Sequence, residues 1–535
     1  MRRKLLSVVL ACVMLIGVIA ACADNNAPSG TTQTPASTPT PASGTPATAA
    51  PAPAPAELPH VNLTMYLLGD EPTDLALVYD TLVNPLLNEK INATLTTNYL
   101  SWGDYRDRYG LILAAGEDVD LIFTSDWAFY SEESARGAFM EFTPEFMEAY
   151  MPNTVKYQSP ASLNQATLNG RIFGIPKNVN GLETENWPVI RKDLREKYGM
   201  DEIKTVADLE AFFLAVLENE DGIFPHHASG DGGWLNVMYQ QPNRIFIIAN
   251  TDIVFQYPGN DDAPPVDAFT YLWFRDDMID YFNTMKRWGD MGFWSANAIN
   301  NDVQVRDSFQ NGRSASLTWN FTIFRAGEML RQNNPEWDFE PIDINPGTTR
   351  RSSYFTNDMI AIAAASRNQE RAGMFIDLLK DEADLEFYLA LIGGIEDVHY
   401  TLNPDGTRGV GPQGDRYPWN PSTWCFNLAP GVAPDQEIGN EPWNAVREER
   451  AWQESQVTMM KNPASMGFRF DQAPVRAEMT AINALRDEYR PMLQLGMVAD
   501  VQGTWDEWKA KAEAAGLETV MNEFRNQYNA WLATR

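Results

Sequence analysis

The stretch from Val61 to Phe123 constrains the fold most, because its hydrophobic period switches repeatedly between the values of a strand and a helix. Val61, Leu63, Met65 and Leu67 alternate with polar residues, the period-two pattern of a half-buried strand. Leu75, Val78, Leu82 and Leu86 then follow a helical spacing, and Pro85 is expected to kink that helix because it lacks an amide hydrogen. Ile91, Ala93 and Leu95 alternate again, a helix is predicted from Asp104 to Ala115, and Val119–Phe123 reads as a short apolar third strand. Strand–helix–strand–helix–strand predicts an α/β domain with a largely parallel sheet. Ligands of such sheets bind beyond the carboxyl ends of the strands. That rule singles out two loops, Leu68-Gly69-Asp70-Glu71-Pro72 and Thr124-Ser125-Asp126-Trp127.

The alternation restarts after a hairpin signal at Asn169-Gly170. Trp187–Arg191 is predicted as a strand, and Thr205-Val206-Ala207-Asp208 as the cap of an apolar helix running to about Glu220. Helices are predicted at 277–289 and 302–310, strands at 314–319 and 359–364, and helices again at 369–380 and 383–391. The last stretch is helical, with Val475, Met479, Ile482 and Tyr489 on one face, followed by helices at 505–515 and 517–532. No internal repeat is evident.

Ahead of this body, Met1-Arg2-Arg3-Lys4 leads into an apolar run ending Ile19-Ala20-Ala21-Cys22, which predicts a secretory signal peptide over residues 1–21. The cysteine directly after Ala20-Ala21 resembles a bacterial lipobox, and that resemblance implies cleavage before Cys22 and lipidation of its thiol. Residues 22–57 form the predicted linker, nearly all Ala, Pro, Thr, Ser and Gly beyond Cys22; such a chain buries no core and at about 3 Å per residue reaches up to ~100 Å. The net charge is −31, and residues 1–21 carry three positive charges and no negative ones, so the chain from Cys22 on carries −34. An acidic surface of this kind argues against nucleic acid and anionic lipid headgroups as partners. With Cys12 in the leader and Cys22 lipidated, only Cys425 remains, so no intramolecular disulfide is expected. Stability must then come from a large core, for which the chain has room in two domains.

Several segments, in order, resemble the extracellular solute-binding lipoproteins of ABC importers, the sugar-type receptors among them. They are Leu113-Ala114-Ala115-Gly116-Glu117-Asp118-Val119-Asp120-Leu121-Ile122-Phe123, Asn169-Gly170-Arg171-Ile172-Phe173-Gly174-Ile175-Pro176, Ile190-Arg191-Lys192-Asp193-Leu194 and Asn311-Gly312-Arg313-Ser314-Ala315-Ser316-Leu317. Gly394-Ile395-Glu396-Asp397-Val398-His399-Tyr400 and Gly467-Phe468-Arg469-Phe470-Asp471 resemble a branch whose C-terminal region has no assigned function. The resemblance implies a two-lobed periplasmic-binding-protein-like fold of type II: two discontinuous α/β lobes, a hinge and an interlobe cleft. We place residues 58–175 plus 320–358 in the first lobe and 176–319 plus 359–535 in the second. Crossings are expected near Gly174–Lys177, Leu317–Asn320 and Asn357–Ile362, with lobe closure as a hinge motion.

The chain has sixteen tryptophans. A sugar presents flat C–H faces and a rim of hydroxyls, so its site needs aromatic plates beside carboxylate, amide or guanidinium partners. Trp127 leads the candidates, with Asp126 before it at a strand's carboxyl edge; Trp102, Asp70 and Glu71 share that edge. From the second lobe or the hinges come Glu183, Trp187, Trp234, Trp319 and Asn357, with Tyr354 and Trp424 behind them. Against each stands the common fate of tryptophan, which is packing. Trp452, Trp505, Trp508 and Trp531 lie at helical spacing and are assigned to packing.

Catalysis finds little support. His226-His227 is an adjacent pair without metal-ligand spacing and is read as solvated. Cys425 is read as a buried apolar residue. No nucleophile elbow or phosphate loop stands out, and no catalytic residue, cofactor or metal is expected. The expected function is capture of a solute, above all an oligosaccharide, by a monomer held to the outer face of the cell membrane by lipid alone, for delivery to the membrane subunits of an ABC permease. The alternatives are a receptor for a peptide or another solute, and a surface glycoside hydrolase, which would need paired carboxyl groups about 5 to 9.5 Å apart.

Overall fold

In the computed structural model, the first three predicted strands line up side by side. The structure describes residues 58–534 apart from 117, 179–186, 231–233, 258–261, 302–304, 321, 345, 348–349, 352–353, 405–407, 419–422, 427–442, 457–459 and 462–463. The predicted leader, Cys22 and the linker therefore lie outside the described residues, as does Glu183. All described residues belong to one compact unit, but two large hydrophobic cores divide it into lobes.

The first lobe is built on a five-stranded sheet. Val61–Leu68 lies at its heart, parallel to Ala93–Leu100 on one side and to Leu121–Thr124 on the other. Leu63, Met65 and Leu67 are fully buried, as the period of two requires. Leu121–Thr124 is buried on both faces, which is why it reads as a continuous apolar run. Helix formation at Leu75–Val78 continues through a wide π turn, Tyr79–Val83, into Asn84–Ile91. The disturbance expected at Pro85 takes that form, since its ring nitrogen has no hydrogen to give the preceding turn.

The sheet is completed by Met359–Ile362, antiparallel to Leu121–Thr124 and to Ile175–Pro176. This corrects the expected lobe boundaries. Residues 359 onward do not belong wholly to the second lobe, because helices Gln369–Leu378 and Glu386–Gly393 and the turn Trp424–Phe426 pack into the first core. Conversely, Thr322–Asn333 stays on the second lobe against strands Ser316–Trp319 and Trp187–Arg191. Leu317–Asn320 is therefore not a crossing. The chain passes between lobes after Pro176, between Ile344 and Met359, and between Phe426 and Ala445. A four-residue apolar strand carries no record of which sheet edge it will join, and the partner edge decides.

The second lobe holds two small antiparallel sheets. Trp187–Arg191 is the centre of one, flanked by Ser316–Trp319 and Phe339–Pro341. Val206–Asn219 starts with the predicted capping box: the Thr205 hydroxyl accepts from the Asp208 amide while the Asp208 carboxylate accepts from the Thr205 amide. The three last helices, Arg476–Gln494, Val501–Ala514 and Leu517–Leu532, close this core. Val475, Met479, Ile482 and Tyr489 are all buried there, as their shared face predicted, and so are Trp505 and Trp508. No helix of the described residues is long and apolar enough to cross a membrane.

Candidate functional site

Three loops meet at the carboxyl ends of the first lobe's parallel strands. The Gly69 amide donates to Leu100 O at 2.9 Å and joins the loops after the first two strands. The Cys425 thiol, buried and pushed up in pKa by that burial, donates to Leu68 O at 3.5 Å and seats Trp424–Phe426 at the same edge. After Leu121–Thr124 the chain folds into a tight turn, in which the Ala128 amide donates to Ser125 O at 3.0 Å with Asp126 and Trp127 at the tip. Phe129 closes this turn at φ +63°, a backbone region that bulky residues rarely enter. Such strain is held only where the surroundings over-determine it, as at ligand sites.

These loops bring Trp102, Trp127 and Trp424 together. Their ring centroids are 6.2 Å apart for Trp102–Trp127, 5.8 Å for Trp102–Trp424 and 6.1 Å for Trp127–Trp424, with interplanar angles of 30°, 16° and 23°. The three rings lie with nearly common normals at similar mutual spacing, so they form one aromatic cluster, the indole platform. Tyr105 meets Trp102 and Trp127 edge-on, and Phe123 supports Trp127 and Trp424 from the strand. Trp102 is 47% and Trp127 37% exposed, and Trp424 is half-buried. Clustered, partly exposed indoles cost solvation free energy, which makes the patch the candidate binding surface of this lobe. Asp70 and Glu71 are exposed in the neighbouring loop.

The platform is fastened to the second crossing. The Trp127 indole N–H donates to Asn357 O at 3.1 Å, the Asp126 amide to Thr356 O at 3.1 Å and the Ser125 hydroxyl to the same oxygen at 3.1 Å. Asn357 thus contributes its backbone carbonyl here. Next to it, the Lys177 amide donates to Asp358 O at 2.9 Å and the Lys177 ammonium lies 3.0 Å from the Asp358 carboxylate, tying the first crossing to the second.

Several candidates have structural work instead. Asp126 is buried; its carboxylate accepts from the Thr356 hydroxyl and lies 3.2 Å from Arg469 Nη2. A sugar hydroxyl would have to displace that ion pair to reach it. Trp187 is buried and meets Trp452 edge-on at 4.2 Å. Trp234 is buried among Phe213, Trp288 and His226. Trp319 is half-buried opposite Trp187 in the strand register and packs on the same core. Tyr354 is buried with the Arg469 guanidinium 4.8 Å above its ring.

His226 also departs from expectation. It is fully buried, with Nδ1 3.1 Å from the Ser316 hydroxyl, and desolvation, reinforced by neighbouring His227, pushes its pKa down to about 3. Among the described residues no cluster of three His, Cys, Asp or Glu side chains is arranged to hold a metal ion.

Arg469 was not singled out by sequence reasoning, although a signal existed. In Phe468-Arg469-Phe470 the two phenylalanines are buried in the second core. The arginine between them reaches the first lobe instead, so a charged residue flanked by two core aromatics is the signal.

Comparison with known proteins agrees with this architecture. Residues 464–533 match a family described as a domain of unknown function, DUF3502. A carbohydrate ABC transporter substrate-binding protein of Streptococcus pneumoniae serotype 4 is 25% identical over 497 residues, covering 88% of this chain and 91% of that protein. The N-glycan transport solute binding protein of Streptococcus pneumoniae superposes with a TM-score of 0.68 at 20% identity, over 88% of this chain and 99% of the other. Its complex with Man5GlcNAc gives a TM-score of 0.65 at 19% identity, over 89% and 99%. A solute-binding protein of Bifidobacterium longum infantis described as binding HMO gives 0.62 at 14%, over 88% and 99%. The fold is the two-lobed fold of solute-binding proteins.

Proposed function

We propose that this chain is an extracellular receptor that captures an oligosaccharide and hands it to an ABC-type permease, without covalent chemistry. The observation that carries the reading is the partly exposed Trp102–Trp127–Trp424 platform at the carboxyl ends of the parallel strands. A platform of indoles suits the C–H faces of consecutive sugar rings, with exposed Asp70 and Glu71 available to hydroxyls at its edge. The matched relatives named for carbohydrate and N-glycan transport support the same solute class.

Cys22 is the lipidation site and residues 22–57 the tether, so the lobes stand off the outer face of the cell membrane as a monomer. Closure over the sugar generates the form that the permease subunits recognise. No catalytic residue, metal or cofactor takes part.

Thermal unfolding of the chain from Cys22 on, with separate panels of oligosaccharides and peptides, tests this reading, and Man5GlcNAc is the first probe. A ligand at a hundredfold its Kd stabilises the folded state by about 2.7 kcal/mol, a readily visible shift. A shift with an intact oligosaccharide is expected. A shift with peptides alone overturns the solute class, and breakdown of the sugar overturns the absence of catalysis.

A further inference from the structure

The region matched as a domain of unknown function, 464–533, does more than complete the second core. Phe468 meets Phe524, Tyr528 and Trp531, and Phe470 meets Phe524, so this segment is anchored on the last helix. Gln527 holds it a second time: its Oε1 accepts from the Asp471 amide and its Nε2 donates to Asp471 O, each at 2.9 Å. Between these anchors Arg469 points to the first lobe. Its Nη2 donates to the Thr356 hydroxyl at 2.8 Å and lies 3.2 Å from the Asp126 carboxylate, while Nη1 donates to Phe468 O at 3.2 Å. The guanidinium covers the Tyr354 ring, and the Arg469 and Asp126 side chains are only 7% and 6% exposed.

Asp126 and Thr356, which Arg469 touches, also hold the turn bearing Trp127. Thr356 accepts the Asp126 amide and Ser125 hydroxyl on its carbonyl, donates its own hydroxyl to Asp126, and precedes the Asn357 carbonyl that receives the Trp127 indole. We propose that Arg469 is a positioning residue for the indole platform: carried by the C-terminal region of the second lobe, it pins Asp126 and Thr356 and through them sets the pose of Trp127 on the first. The step from platform pose to sugar affinity rests on the function proposed above; the positioning itself does not.

A buried charge pair is geometrically demanding, because breaking one side leaves the other charge without its partner in a poorly solvating place. The platform's pose therefore depends on where the second lobe stands, and affinity is coupled to lobe arrangement through one guanidinium. This assigns a task to a segment that otherwise reads as packing.

Arg469→Met, Asp126→Asn, their combination, and Thr356→Val are compared with the unaltered chain by near-ultraviolet circular dichroism, acrylamide quenching and Man5GlcNAc titration. The dichroism reports the coupling of the stacked indoles without any ligand. In Arg469→Met the indole signal should fall, quenching should rise and sugar affinity should drop about tenfold or more. The double variant should regain much of the signal, since no lone carboxylate is left beside Trp127. Thr356→Val removes a hydroxyl without changing charge, and should move the indole signal in the same direction even if Arg469→Met fails to fold. A lower melting temperature with unchanged indole signal and quenching overturns the proposal, leaving Arg469 as a brace between lobes. An altered indole signal with unchanged sugar affinity keeps the positioning and overturns the platform as the sugar surface.

Discussion

In the first lobe Trp102, Trp127 and Trp424 lie in loops at strand ends and cluster with nearly parallel planes near the surface, whereas in the second lobe Trp234, Trp288, Trp505 and Trp508 are swallowed by the core. The same side chain serves opposite ends. The buried rings gain from desolvation and edge-to-face contacts, as Trp288 does against Phe213 at 5.3 Å while its N–H donates to Glu210 at 2.6 Å. The platform rings forgo part of that gain, and Trp127 satisfies its N–H on the hinge carbonyl of Asn357. A tryptophan count therefore points to no candidate site, whereas position relative to a parallel strand's carboxyl end separates the clustered surface rings from the buried ones.

The contrast can be broken most forcefully at Trp234. Trp234→Ala should cost about 3 to 5 kcal/mol by denaturant unfolding, because a large ring leaves a cavity in the second core. The same change should leave sugar affinity intact in the fraction that folds. If Trp234→Ala abolished binding at unchanged stability, the contrast between the lobes would collapse.

A change of pH sharpens it next, since His226 packs against Trp234 with their ring centroids 4.3 Å apart. The folded-state pKa of about 3 lies below the ordinary 6.5, so the unfolded chain binds a proton that the folded second lobe refuses. The stability this contributes is present above about pH 6.5 and falls as pH drops towards 3, by about 1.4 kcal/mol per pH unit at the steepest. Urea unfolding from pH 7 to 4 should show this slope, and His226→Gln should flatten it.

Trp127→Ala should act in the reverse sense to Trp234→Ala. Its effect on global stability should stay within about 1 kcal/mol, while oligosaccharide affinity falls at least about tenfold by calorimetry. Trp102→Ala combined with it should be less than additive, because the two rings touch one platform.

The smallest expected effect is at Asp74 in the first lobe. The Arg416 guanidinium, and then His399, hold its carboxyl below the ordinary 3.8; Arg416 Nη2 is 2.6 Å from Oδ1 and His399 Nε2 is 3.3 Å from Oδ2. Arg416 is partly exposed, so screening limits the gain and Asp74→Asn should cost about 1 kcal/mol at neutral pH. A lowered carboxylate pKa contributes stability above its unfolded value. The cost of Asp74→Asn should therefore fade as pH falls below 3.8 and through the folded value, as melting temperatures from pH 7 to 3 would show.

Legibility followed the range of the interactions. The alternation of Leu63, Met65 and Leu67, the Thr205–Asp208 cap and the face shared by Met479, Ile482 and Tyr489 were readable, since each is set within a few residues. The rule that sites lie beyond parallel strands pointed to the Trp102 and Trp127 loops, and both rings stand in the platform. Trp424 ranked behind them because nothing near it in sequence announces a strand end; Cys425 reaches Leu68, 357 positions away. Asp126 reads as available because sequence shows a carboxylate beside a tryptophan and not the arginine buried against it.

By itself the sequence determined the strongly periodic elements, the Thr205–Asp208 cap and the acidic, tryptophan-rich character of the body, while helices such as Thr322–Asn333 and Trp443–Gln456 were not read from it. Only the tertiary structure decided ownership. Met359–Ile362 joined the first sheet because Leu121–Thr124 and Ile175–Pro176 offered it edges, and Arg469 became an interlobe contact because Phe468 and Phe470 were drawn into the second core. Local periodicity encodes burial against some partner, but the partner's identity lies in contacts between residues hundreds of positions apart, where pairing geometry and packing decide.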